Sequence, residues 1–196
     1  MNIFSLPLSA KGICHIRDKD TKQTIVYQEN AIHNGNLLVA LSESLIGAVG
    51  SNITTIAFGN GGTNVTPDGK VFYRTKNVSD TYDPVADLYN TTYLKPITNM
   101  GSATPDPTNG VTLEVDTQHV DFNFFVTLDY GEPASQDMEA TASSLDEPYV
   151  FDELGVKTTN GLLLTHFITS PTQKALDRAF EILYTIRLKL REEDNS

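Results

Sequence analysis

Apolar and polar positions alternate most regularly over residues 111–128 and 180–190. Val111, Leu113 and Val115 alternate with Thr112 and Glu114, and after a short break Phe122, Phe124, Val126 and Leu128 repeat the pattern. Phe180, Ile182, Tyr184, Ile186, Leu188 and Leu190 do the same near the C-terminus. Successive side chains of a strand point to opposite faces, so this period of two predicts half-buried strands. Shorter runs extend the pattern. "ICHIRDKDTKQTIVYQEN" reads as two strands around a polar turn at 18–22, with Ile13, Ile25 and Tyr27 facing inward. "ITTIAF" is a further strand, and two more flank "TTNG", whose Asn-Gly pair is a strong hairpin signal.

One segment breaks the rule. In "AIHNGNLLVALSESLIGAVGSN", Leu38, Leu41, Leu45 and Val49 recur at spacings of three and four, with Leu37 and Ile46 beside them. That spacing predicts a helix, capped by Asn34 or Asn36 and ended by Gly47 or Gly50. Residues 77–110 and 131–148 carry no sustained period and are rich in turn formers or small acidic residues. They are expected to be long loops or interaction arms that order on contact. The sum predicts one mainly β domain over residues 1–196. Its expected form is an antiparallel β-sandwich of about seven or eight strands with one short helix and long extended loops.

Composition narrows the partners. Asp and Glu outnumber Lys and Arg by 25 to 14, a net charge of −11 that repels phosphate backbones and argues against nucleic acid. No stretch reaches the roughly 18 apolar residues that a membrane helix needs, and the N-terminus lacks the basic start of a signal peptide. Synthesis in the cytoplasm, without membrane association, is expected. The only cysteine, Cys14, excludes an internal disulfide and is expected to be a buried structural thiol.

The stretch "FGNGGTNVTPDGKVFY" at 58–73 invites a phosphate-binding reading, and its residues refuse it. A P-loop needs Ser or Thr after Gly-Lys, whereas Lys70 is followed by Val71. The dinucleotide fingerprint fails because Asn64 stands where its third glycine belongs. A strand-like "KVFYRT" follows where a helix N-terminus would be required. Two turns are expected instead, with glycines at 59–62 supplying positive φ and Asp68-Gly69 reversing the chain.

The four histidines, His15, His33, His119 and His166, show no helical zinc spacing, although His119 and His166 fall in expected strands that can meet across a sheet. No Gly-x-Ser-x-Gly motif is present. Asp152-Glu153 reads as a solvated charged pair, and Asp80, Asp83 and Asp87 lack the glycine and glutamate of a calcium loop. Tyr73, Tyr82, Tyr89 and Tyr93 are candidates for stacking on a sugar, with packing of the long connection as the plainer role. No enzyme, cofactor or metal is expected.

Four blocks carry a resemblance. "AIHNGNLLVALSESLIG", "IAFGNGGTNVTPDGKVFY", "LYNTTYLKPI" and "YVFDELGVKTTNGLLLTHFITSPTQKALDRAFEILYTIRL" occur in this order. Together they resemble structural virion proteins of tailed bacteriophages, especially large marine and cyanobacterial phages with contractile tails. "FDELGV…GLLLTHF" is also similar to an E-[IL]-G-[LIV] hairpin of phage tail-fibre and baseplate attachment domains. The resemblance implies a non-enzymatic β-sandwich subunit of the virion, made in the host cytoplasm and present in many copies. It is expected in a neck or collar, tail or baseplate, with capsid decoration or a host-attachment, carbohydrate-binding module as alternatives. Its implied partners are other phage structural proteins and further copies of itself. Gly59, Asn60, Gly61, Gly62, Asp152, Glu153 and Gly155 are the expected architectural or subunit-contact residues, Gly155 because it lets a neighbouring backbone come near.

Overall fold

The computed structural model describes residues 8–98, 108–134 and 149–190. Their strands are β1 (Leu8–Asp18), β2 (Thr24–Ile32), β3 (Ile53–Gly59), β4 (Thr63–Val65), β5 (Val71–Tyr73), β6 (Thr91–Pro96), β7 (Asn109–Val115), β8 (His119–Leu128), β9 (Val150–Thr158), β10 (Thr165–Gln173) and β11 (Phe180–Leu190). One helix, α1 (Asn34–Leu45), lies between β2 and β3. The mainly β expectation holds, with more strands than the alternating runs alone reveal.

Nine strands form one antiparallel sheet in the order β6-β3-β9-β10-β2-β1-β11-β8-β7, while β4 and β5 pair separately. The sheet curls. Its narrowest joint is between β10 and β2, where only Thr165↔Ile32 and His166↔Ala31 are paired. On either side of that joint the two halves contribute to one core. Ile56, Phe58, Phe151, Leu154 and Phe167 come from one half, and Cys14, Phe124, Val126, Ile182, Tyr184 and Ile186 from the other. The two edges also approach each other. Asn109, at the start of β7, donates from Nδ2 to Pro96 O at 3.0 Å and accepts the Thr98 amide at 2.9 Å. Hydrogen bonding therefore describes a single curled sheet, and the two-sheet sandwich is not confirmed. The Cys14 thiol is wholly buried in this core, as expected.

The helix differs from its expected form at both its cap and its face. His33, rather than Asn34 or Asn36, is the N-cap, its Nδ1 accepting the Asn36 amide at 3.3 Å. Gly47, at φ 73°, follows the last turn as expected. The buried residues are Gly35, Asn36, Leu37 and Ala40, whereas Leu38 is 63% exposed, Leu45 88% and Val49 99%.

β9 is covered on both faces. Phe151, Leu154 and Val156 join the main core, while Ala57, Ala86, Leu88 and Leu163 form a second, smaller one. Ala86 and Leu88 belong to the irregular connection after β5, which lies across the sheet as a strap. Over its described part, the expected arm at 77–110 is thus packed on its own sheet and then supplies the edge strand β6. Residues 99–107 of that arm, and 135–148 of the arm at 131–148, lie outside the described residues. Among the described residues no helix is long and apolar enough to cross a membrane.

Phe58 stacks on Phe151 at 5.0 Å and on Tyr93 at 6.1 Å between ring centroids, joining β3, β9 and β6. Phe58→Ala should therefore cost about 3–5 kcal/mol of unfolding free energy in urea titration. Val85→Ala, at a position 85% exposed, should change it by less than about 0.5 kcal/mol.

Candidate functional site

The glycine-rich loop leaves β3 and crosses β9 at Asp152 and Glu153. The strand is irregular here. Opposite β10 the register shifts between Ile168↔Glu153 and Thr172↔Phe151, placing Thr169, Ser170 and Pro171 against Asp152 alone. Proline cannot donate to a sheet ladder, which accounts for a bulge at "TSPT". Because the alternation slips, Phe151 and Leu154, three residues apart, both reach the main core. The two carboxylates between them are left to the glycine loop.

Glu153 is wholly buried and saturated with donors. Its Oε1 accepts the amides of Gly61 at 3.0 Å and Asn90 at 2.8 Å. Its Oε2 accepts the Tyr89 amide at 3.0 Å and pairs with His166 Nε2 at 2.9 Å. His166 is equally buried, and its Nδ1 accepts the Asn77 amide at 2.8 Å. A ring nitrogen that accepts cannot carry the proton, so the imidazole is the Nε2–H tautomer and donates to Glu153. Asp152 is only 3% exposed. Its Oδ1 accepts the Gly62 amide and its Oδ2 the Thr63 amide, both at 2.8 Å, and the Thr63 hydroxyl also donates to Oδ2.

The neighbouring carboxylates are pushed in opposite directions. Burial drives Glu153 up, but the bonds from His166, Asn90, Tyr89 and Gly61 outweigh it and hold the group below its ordinary value. For Asp152 burial prevails over the bonds from Thr63 and Gly62, the Glu153 charge adds to it, and the pKa is raised.

The expectation of a solvated Asp152-Glu153 pair is therefore corrected: both are interior. The expectation of positive φ at 59–62 is corrected too. None of Gly59, Gly61 and Gly62 has it, whereas Gly69 does, at 82°. These glycines are needed for space. A Cβ on Gly59 would lie 2.5 Å from Asn90 O, and one on Gly61 2.7 Å from Tyr89 Cβ. Asn60 bonds Asn90 O through its amide at 3.2 Å. Gly155 does admit a close neighbour, but it is the same chain's Thr165 O, 2.9 Å from an added Cβ, with Leu163 nearer still. Asp152, Glu153 and Gly155 are thus architectural and too deeply buried to touch another subunit.

His166, Asn77, Tyr89 and Asn90 complete the cluster; the sequence marks His166 and Tyr89 for other roles and Asn77 and Asn90 for none. For His166 a signal existed. The register across the Asn-Gly hairpin sets Glu153 opposite Ile168, so His166, two residues away, shares its face. His119 on β8 is separated from it by β2, β1 and β11. Among the described residues no group of His, Cys, Asp and Glu is arranged to hold a metal. Asp80 instead accepts from Asn34 at 2.6 Å, and Asp87 pairs with Lys157 at 2.8 Å. Chemically, the cradle is an anion site already filled by the chain's own carboxylates. Protein families, curated proteins and solved structures offer no match to the chain.

Glu153→Gln replaces one acceptor oxygen by a donor facing amide hydrogens and should destabilise the fold by about 3–5 kcal/mol in denaturant titration. The pH dependence follows from the lowered Glu153 pKa. Its contribution is complete above the ordinary value of 4.5 and is lost as pH falls through the folded value. Asp152, with its pKa raised, works in the opposite sense and regains stability as it protonates. Stability curves between pH 7 and pH 3 should therefore fall less steeply for Glu153→Gln than for the wild type; equal slopes would refute the assignment. Gly61→Ala should destabilise at all pH values.

Proposed function

We propose that this chain is a non-enzymatic structural subunit of a tailed-phage particle, built in multiple copies into a neck or collar, tail or baseplate. The observation that supports this reading is where the four resembling blocks meet. The first supplies Asn36, which holds the strap; the second, the loop amides of Gly61, Gly62 and Thr63; the third, the amides of Tyr89 and Asn90; the fourth, Asp152, Glu153 and His166. The residues that carry the resemblance are thus the ones that lock the frame. Their ionisable groups are spent on backbone donors, which suits a load-carrying subunit.

A host-attachment reading has one observation in its favour. A surface groove of about 360 Å³ is lined by Gln28, Tyr73, Arg74, Lys76, Thr169 and Ser170. Tyr73 is 55% exposed there, with its hydroxyl 2.7 Å from Ser170 Oγ. Arg74 stacks over Tyr89 at 4.8 Å. An aromatic face beside cations suits an acidic sugar.

Electron microscopy of particles carrying a gold label on this chain should place the label in a ring at the neck, tail or baseplate. Label spread over the head would support capsid decoration instead, and label absent from particles would end the virion reading. Submillimolar binding to acidic glycans, lost in Tyr73→Ala and Arg74→Ala, would move the role to host attachment.

A further inference from the structure

The leucine period that identifies α1 marks a face that the described residues leave uncovered. Leu38, Leu41 and Leu45 fall along one side of the helix, with Leu38 63% and Leu45 88% exposed. Ile46 and Val49, just beyond it, are 82% and 99% exposed. Beside this stripe opens an apolar cavity of about 280 Å³, lined by Leu37, Leu41, Val111, Phe122, Phe124 and Leu164. The apolar surface runs on along the edge strand β7, where Leu113 is 58% and Val115 72% exposed on the same side as Val111. Scattered exposed leucines are ordinary; a contiguous set rimming an apolar cavity marks an interaction surface.

We propose that this face is a self-association interface, in which two copies pack α1 against α1 across a two-fold axis and Leu45 and Ile46 of each copy close the other's cavity. Charge selects the occupant. The chain carries −11, yet Glu43 is its only charged residue between Glu29 and Asp68. Contact through most other faces would bring like charges into direct contact, whereas the leucine stripe of α1 carries none, leaving only the longer-range repulsion of the acidic chains. A basic partner would find little to hold here and would choose the acidic faces. Self-complementarity follows from the stripe: leucines at i, i+3 and i+7 present the same ridge to an antiparallel copy of themselves. The inference rests on the structural-subunit reading for its purpose only, since its evidence lies in the isolated chain.

The test is the mass of the purified full chain by sedimentation and light scattering up to about 100 µM, far above the Kd of a stable homodimer. The expected result is a dimer, or a larger even assembly, that tightens with added salt as repulsion between the acidic copies is screened. Leu38→Glu and Leu45→Glu should each raise the dissociation constant by more than about 30-fold, because a charge would enter a dry contact. Both sites are exposed, so the urea midpoint of the monomer should stay unchanged. Leu45→Cys should form an intermolecular disulfide under mild oxidation, and the buried Cys14 leaves that thiol as the sole reporter. A wild-type monomer at 100 µM, unchanged assembly in both glutamate variants, or dissociation on adding salt would each overturn the proposal. Particle labelling fails separately, so the two readings can fall independently.

Discussion

A carboxylate withdrawn from water must be met by hydrogen-bond donors, and Glu153 imposes that demand on half of this fold. Removing a charge of this kind from solvent costs several kcal/mol, repaid only by good geometry at every lone pair. Here the donors are three backbone amides and one imidazole, drawn from the glycine loop, the strap and β10. Each donor fixes its segment. The loop must pass close enough for Gly61 to donate, which excludes a side chain at Gly59 and Gly61. The strap must bring Tyr89 and Asn90 to the same oxygens. His166 must keep its proton on Nε2, which the Asn77 amide enforces by occupying Nδ1. One buried charge thereby sets the backbone path of two irregular segments and the tautomer of a histidine.

The loop that looked like a phosphate cradle is therefore a cradle with an internal occupant. Runs of backbone amides favour an anion whatever its source. In a nucleotide site the anion is a ligand and the loop must open to water. Here Asp152 and Glu153 fill the place, and the strap seals it with Ala86 and Leu88. The divergence of the two pKa values records the limit of this arrangement. The donors suffice to keep Glu153 ionised, and its charge adds to the cost of ionising Asp152 beside it.

Legibility in the sequence followed the range of each interaction. Alternation over 111–128 and 180–190 gave β7, β8 and β11, and Asn160-Gly161 gave the β9–β10 hairpin, because strand period and turn chemistry are local. Strand order is not local, so the single curled sheet with its two-pair joint at β10 and β2 could not be read. Glycine carried two possible meanings, conformational freedom and small size. At Gly69 the first applies; at Gly59 and Gly61 the second does, and only the packed neighbour decides. The Asp152-Glu153 pair failed as a sequence reading for the same reason. A charged pair beside a loop is solvated unless other segments supply donors, and apart from His166, 13 residues on, these came from 63 to 92 residues away.

The helix shows how that interior demand reaches the surface. Its inward face is occupied by Gly35 and Asn36, which the strap requires. A Cβ on Gly35 would sit 2.1 Å from the Thr81 carbonyl carbon. Asn36 accepts the Asp83 amide at 2.9 Å and donates to Asp83 O at 2.9 Å and Leu163 O at 3.0 Å. A helix that spends part of its inner face holding the strap cannot also turn all its leucines inward, since residues at 36 and 38 point to different sides of a 3.6-residue turn. Leu38 and Leu45 lie on the side of the helix away from Asn36, which holds the strap that shields Glu153. The strap that shields Glu153 and the exposed leucine stripe thus meet on opposite sides of one helix. The described residues of one copy leave that apolar surface in water, a cost that the proposed pairing of two copies would remove.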